Sequence, residues 1–150
     1  MARWKSLVVF FLITFAAAAT GSISTPDAWF NALHKPWFNP PPWVFAPVWT
    51  VLYVLMAIAA WRVYKVARIG PVIILWVTQL CFNAAWTPLF FGLHRIDLAL
   101  ADVIILGALI LATIIVFYRR DRLAAVLLMP YFAWAAFATV LTFTIWRLNP

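Results

Sequence analysis

The chain has 150 residues, of which 67% are hydrophobic and only 10% charged, against roughly a quarter charged in a soluble domain. So little charge cannot cover a surface that faces water, which excludes a soluble globular or catalytic domain and makes lipid the solvent. The formal charge of +7 would suggest nucleic acid in a soluble protein; here the basic residues flank apolar runs, so a membrane surface is the expected partner and nucleic acid is not.

A crossing needs about 20 apolar residues, so this length allows about five spans joined by short loops. The expectation is an all-α integral membrane bundle, one domain over residues 1–150, with helices at about 7–23, 44–66, 72–91, 96–118 and 124–146. The first run follows Arg3 and Lys5 and ends in Ala16-Ala17-Ala18-Ala19, a pattern shared by cleavable signal peptides and spanning helices. It is kept as the first helix.

The segment from Ser24 to about Trp43 is the one long loop. It holds Pro36, Pro40, Pro41 and Pro42, which resist helix, so it is expected to be extended and partly polyproline II. It also holds Trp29, Trp37 and Trp43, and a loop so rich in large aromatics is expected to pack down on the bundle. The second helix, Val44 to Val66, carries Trp49 and Tyr53 four residues apart. The third, Val72 to Phe91, carries Gln79, Asn83 and Trp86 on one face; in lipid such amides either hydrogen-bond between helices or line a cavity. Arg68-Ile69-Gly70-Pro71, then Gly92 with His94 and Arg95, then Arg119-Arg120-Asp121-Arg122 separate the later spans. The fifth, Ala124 to Trp146, places Tyr131, Trp134, Ala138 and Thr142 on one stripe.

Eight basic residues (Arg3, Lys5, Arg62, Lys65, Arg68, Arg119, Arg120 and Arg122) fall on the N-terminal side, and three (Lys35, Arg95 and Arg147) on the other. In a plasma membrane this bias puts the N-terminus in the cytoplasm. A bacterial cell membrane is the expected location, with an outer membrane as the other placement. Trp4, Trp61 and Trp146 lie near helix ends, as in an interfacial aromatic belt, which Trp134 fits less well.

Hydrolytic chemistry has little support. The acids are Asp27, Asp97, Asp102 and Asp121, scattered along the chain, and neither a glycine-rich phosphate loop nor a zinc-protease pattern occurs. Cys81 is the only cysteine and forms neither an internal disulfide nor a thiolate metal site by itself. His34 and His94 fall in loops on one side, where two interfacial histidines are the simpler reading than a shared metal or haem iron, so no metal is expected. Asp102 lies about a turn and a half inside the fourth helix. It either serves a function there or reaches Arg95 or water. A pocket among the second, third and fifth helices, closed by the long loop, would be aromatic with a few amides and would suit a large, flat, apolar ligand.

The stretch from Trp29 through Asn31, Lys35-Pro36-Trp37, Asn39 and Pro41-Pro42-Trp43 to Phe45, Pro47, Trp49 and Tyr53 closely resembles the tryptophan-rich sensory protein (TspO), or translocator protein, family. Its mammalian members are called peripheral benzodiazepine receptors. Gln79, Asn83, Trp86, Thr87, Pro88, Phe90 and Phe91 fit it, as do Pro130, Tyr131, Trp134, Ala138, Arg147 and Asn149, so the resemblance covers essentially the whole chain. It implies a five-helix bundle, commonly a homodimer, that binds porphyrins such as protoporphyrin IX or haem as ligands rather than obligatory cofactors, and also cholesterol and benzodiazepine-type ligands.

The resemblance further implies ligand contacts at Trp49 and Asn83, with Trp37, Phe45, Tyr53, Trp86, Trp134 and Ala138 lining or covering the pocket. Trp29 and Trp134 match tryptophans implicated in light-dependent porphyrin breakdown by bacterial relatives. The family's sterol motif is degenerate here: Val140, Phe143 and Arg147 stand in its positions with Phe143 in place of a tyrosine, which puts cholesterol binding in doubt. Thr142 replaces an asparagine common in relatives. Three functions follow: a receptor or binding protein for tetrapyrroles acting in porphyrin handling, stress sensing or regulation; an enzyme of light-dependent protoporphyrin IX degradation, with Trp29 and Trp134 catalytic; and a porphyrin or sterol transporter, which ranks lower because Asp102 is nearly the only intramembrane charge.

Overall fold

The computed structural model describes residues 3–150, and among these residues it contains helices and connecting segments but no strand. The helices are α1 (Arg3–Ala18), α2 (Thr20–Ile23), α3 (Ala28–Ala32), α4 (Phe45–Ala67), α5 (Pro71–Thr87), α6 (Ile96–Tyr118) and α7 (Arg122–Leu148). A 3-10 turn, Pro42–Val44, leads into α4, and a π-helical turn, Pro88–Gly92, prolongs α5. With these extensions five helical segments are long and apolar enough to cross a membrane, at Arg3–Ile23, Pro42–Ala67, Pro71–Gly92, Ile96–Tyr118 and Arg122–Leu148. The five expected spans are therefore present, with ends moved by a few residues.

Local chemistry sets those ends. Pro71 opens α5 in the first turn, where its missing N–H is not needed. Asp121 caps α7, its Oδ1 accepting from the Ala124 amide at 3.1 Å, and its carboxylate also meets Arg62 of α4 at 2.9 Å. Burial pushes the Asp121 carboxyl up, but the Ala124 amide and then Arg62 outweigh it, so the net position is below the usual carboxylate range. Pro130 sits inside α7 without ending it, as spanning helices tolerate when neighbours support the backbone.

The spans close into a ring. α1 packs on α4 and α5, α4 on α7, α7 on α6, and α6 on α5. Ala57, Ala59 and Ala60 of α4 are fully buried, and small residues at such contacts let helix backbones approach closely. Met56, Trp76, Tyr131 and Phe117 fill the space between. Large apolar side chains such as Leu12, Ile74, Ile104 and Met129 face outward, as expected where the surroundings are as apolar as the core. The first run packs as a helix of the bundle: Phe10 lies edge-on to Trp76 at 5.5 Å, and the Trp61 indole N–H donates to the Arg3 carbonyl at 3.2 Å and to Ser6 Oγ at 3.1 Å. Trp61 thus joins two helices besides lying near a helix end.

The long loop departs from expectation in part. Leu33 and Pro41 have extended, polyproline-like angles, but α3 forms ahead of both because Asp27 accepts from the Phe30 amide at 3.1 Å and caps a helical turn before the prolines. Trp29, Phe30, Leu33 and Phe38 pack against a second apolar cluster of Phe90, Ile96, Ala99, Leu141 and Ile145. At its middle the loop is fastened to the end of α7: the His34 amide donates to Asn149 Oδ1 and Asn149 Nδ2 donates to the His34 carbonyl, both at 2.9 Å. Trp37 and Trp43 do not pack down; they are 96% and 74% exposed. Indoles at a membrane–water interface gain from both phases and need no protein cover.

Candidate ligand-binding site

α4, α5 and α7 bring together much of the expected site. Trp49 stacks on Tyr53, one turn further along α4, with ring centroids 5.4 Å apart. The Trp49 indole also meets Trp134 edge-on at 6.4 Å and Tyr131 at 6.4 Å. Phe45 closes on Trp134 at 5.9 Å, and Phe137 lies 5.3 Å from Trp134 on its other side. Beyond the contact with Trp49, Trp134 lines an open apolar groove of about 610 Å³ with Pro47, Val48, Val51, Leu52, Pro130 and Ala133.

Beneath these rings runs a chain of hydrogen bonds. The Tyr53 hydroxyl donates to Asn83 Oδ1 at 2.8 Å, Asn83 Nδ2 donates to the Tyr131 hydroxyl at 2.9 Å, and that hydroxyl donates to Gln79 Oε1 at 2.7 Å. The two readings of the α5 amides thus resolve toward interhelical bonding: Gln79 and Asn83 are buried and tie α5 to α7, and Asn83 also ties it to α4. Both hydroxyls, both Asn83 side-chain atoms and Gln79 Oε1 are matched, as an apolar interior favours, whereas Gln79 Nε2 is buried without a partner among the described residues. The site is an aromatic cluster with a fixed hydrogen-bonded base.

A model of the TspO/MBR family matches residues 7–147. The chain belongs to this family. It is 43% identical over 146 residues to the tryptophan-rich sensory protein of Cereibacter sphaeroides, covering 97% of this chain and 92% of that one. It is 39% identical over 146 residues to protein CrtK of Rhodobacter capsulatus, covering 95% and 91%. To the human translocator protein it is 38% identical over 130 residues, covering 81% and 75%. Membership of the TspO/MBR family and the five apolar helices together make this a multi-pass integral membrane protein.

Other expected site residues of this TspO/MBR protein fall elsewhere. Trp86 stacks on Phe90 at 4.9 Å in the second cluster, which it shares with Trp29, itself edge-on to Phe90 at 5.7 Å. Trp29 and Trp134 therefore belong to separate aromatic groups, which come together at Phe137, a member of the second cluster that lies 5.3 Å from Trp134. Ala138 is half-buried one helical turn beyond Trp134, and Trp37 stands outside, edge-on to Phe38 at 5.6 Å. Val140, Phe143 and Arg147 are all exposed on α7, and Phe143 packs on Trp146 at 6.1 Å.

One expectation for Asp102 is overturned. Asp102 is buried on α6, only 6% exposed, and does not reach Arg95, whose guanidinium instead binds both oxygens of Asp97 at 2.9 and 2.7 Å. Two residues apart and both exposed, that pair forms locally, whereas Asp102 lies on the inward face of α6. Nor do the two histidines meet: His34 is held through its main chain by Asn149, while His94 pairs with Asp27 at 2.9 Å. Sequence reasoning missed the Asp27–His94 pair, although the spacing of Asp27 ahead of Trp29 and Phe30 is that of a helix cap.

Proposed function

We propose that this protein is a membrane receptor that binds tetrapyrroles, protoporphyrin IX or haem, in the region of Trp49, Tyr53, Phe45 and Trp134. The observation that carries the reading is the Trp49–Trp134 contact: two indoles from α4 and α7 meet edge-on beside an open groove that Trp134 itself lines. Aromatic faces supply large contact area to a flat ring at low conformational cost, and apolar walls with few polar groups are what such a ligand requires. The Tyr53–Asn83–Tyr131–Gln79 chain holds the floor of the site rigid. The propionates of a porphyrin would meet cations at the loop end, where Lys35, Arg95 and Arg147 lie.

In this reading the protein is a homodimer, the eight-residue basic side faces the cytoplasm, and the loop and α3 lie on the far side. Family members' other ligands, sterols and benzodiazepine-type compounds, would share the apolar walls. The test is a titration of tryptophan fluorescence by protoporphyrin IX in the dark, repeated with a sterol. Saturable quenching by the porphyrin, weakened about ten-fold in Trp49→Leu and Trp134→Leu, is the expected result for the loss of about 1.4 kcal/mol of stacking. An absence of saturable quenching would remove the reading.

A further inference from the structure

Three side chains make a single contact between α3 and the turn that follows α5. The His94 ring lies flat against the Trp29 indole, with centroids 4.2 Å apart and planes inclined by 17°. His94 Nε2 meets Asp27 Oδ2 at 2.9 Å. Asp27 Oδ1 accepts from the Phe30 amide and so caps the helix that carries Trp29. The backbone at His94 is left-handed, with φ 54°, a conformation uncommon outside glycine but more accessible to histidine, asparagine and aspartate than to other residues. Trp29 is thus gripped between His94 on its face and Phe90 at its edge.

We propose that His94 is a positioning residue for Trp29, and that the proton on its imidazole sets how firmly Trp29 and α3 are held against the bundle. With the ring protonated, the imidazolium forms a charge-assisted pair with the Asp27 carboxylate and presents positive charge to the indole face, and both contacts are attractive. With the ring neutral, a plain hydrogen bond and an ordinary stack remain. The Phe30 amide first, and then His94, hold the Asp27 carboxyl below the usual carboxylate range. Asp27 is therefore ionised throughout the range in which histidines titrate. The clamp is complete between these two ranges. It loosens as pH rises and the imidazole loses its proton, and again in strong acid as Asp27 gains one.

The other charged groups at this end are engaged elsewhere. Arg95 is paired with Asp97, and the Lys35 ammonium lies over the Phe30 ring at 4.5 Å and donates to the Leu33 carbonyl at 3.3 Å. His34 is joined to Asn149 through its main chain, and Arg147 is exposed at the end of α7. Asp27 is thus the one carboxylate paired with His94 among the described residues. The clamp does not rest on the tetrapyrrole reading, because it concerns how Trp29 is presented, whatever the site binds.

The test uses the whole protein in lipid nanodiscs without ligand. Trp29 emission is isolated as the difference between the unsubstituted protein and Trp29→Phe, recorded from about pH 5 to about pH 8. An imidazolium in contact with an indole quenches its emission, so the difference signal should rise as pH increases through the histidine range. His94→Phe keeps a ring on the indole and loses the proton, and should flatten the profile. Asp27→Asn keeps the helix cap but removes the anion, and should move the midpoint to lower pH. His94→Asn, a residue suited to the left-handed backbone, removes ring and proton together and should leave Trp29 unquenched at every pH. A Trp29 signal independent of pH in the unsubstituted protein, or a profile unchanged in His94→Phe, would overturn the proposal.

Discussion

Replacing Tyr131 with phenylalanine removes one oxygen from the middle of the bundle and leaves the ring in place. That oxygen donates to Gln79 Oε1 at 2.7 Å and accepts from Asn83 Nδ2 at 2.9 Å, and the tyrosine is fully buried. In water-soluble interiors a stranded polar group costs about 1–3 kcal/mol. Hydrogen bonds between helices in lipid average about 0.6 kcal/mol and reach about 1.7, because the unfolded chain in the bilayer also finds partners. Two such bonds place the loss for Tyr131→Phe at roughly 1–2 kcal/mol. The assay is reversible unfolding in bicelles, run as a double-mutant cycle with Gln79→Leu. The single changes should add to more than the double change, because Gln79→Leu has already removed one of the two partners. If Tyr131→Phe unfolds within about 0.3 kcal/mol of the unsubstituted protein, or the two changes simply add, the hydrogen-bonded base of the site is not what holds these helices in register.

Three further outcomes follow from other contacts. Asp121→Ala should destabilise the protein by about 1 kcal/mol through loss of the α7 cap, and Asp121→Asn by less, since asparagine caps as well; because the Asp121 carboxyl is held below its usual range, the stability that the unsubstituted protein holds over Asp121→Asn should be present at neutral pH and vanish as acid protonates the native carboxylate, as unfolding at several pH values would read. Phe143→Tyr restores a hydroxyl on the exposed face shared with Val140 and Arg147 and should raise affinity for a sterol, measured by competition with a labelled sterol in nanodiscs. Under illumination with protoporphyrin IX, Trp29→Phe and Trp134→Phe should each slow formation of a defined product while dark binding persists if the site performs chemistry; equal bleaching in all three proteins would leave binding alone.

The spans were legible because their signals are long and redundant: some twenty apolar residues bounded by Arg68-Ile69-Gly70-Pro71 or Arg119-Arg120-Asp121-Arg122 admit few other structures. The shared face of Trp49 and Tyr53 on α4, and that of Tyr131 and Trp134 on α7, also followed from helical periodicity, and these faces do meet. The helical face of Trp86 followed from its spacing after Gln79 and Asn83, but its partner did not: Phe90, which stacks on it, comes from the π-helical turn that begins at Pro88, where regular periodicity ends. Contacts between segments distant in sequence, such as Asp27 with His94 or His34 with Asn149, leave no periodic trace, since each depends on one side chain and one loop conformation. Asp102 illustrates the same limit: its depth in the helix was evident from position, but which charge Arg95 would choose depended on two residues of local geometry.

The ring order of the helices bears on how the protein is made. α4 and α5 follow each other in the chain but meet only sparsely, while α4 finds its main partners in α1 and α7. A ribosome delivers α7 after α5 and α6, so the buried alanines of α4 wait through the insertion of two more spans before α7 arrives. Trp49 likewise has no Trp134 to meet until then, and Asn149 can fasten the loop only after α7 is complete. A chain stalled after Tyr118 would therefore hold four inserted helices and no aromatic site, with an alanine-lined seam open to any other helix in the bilayer.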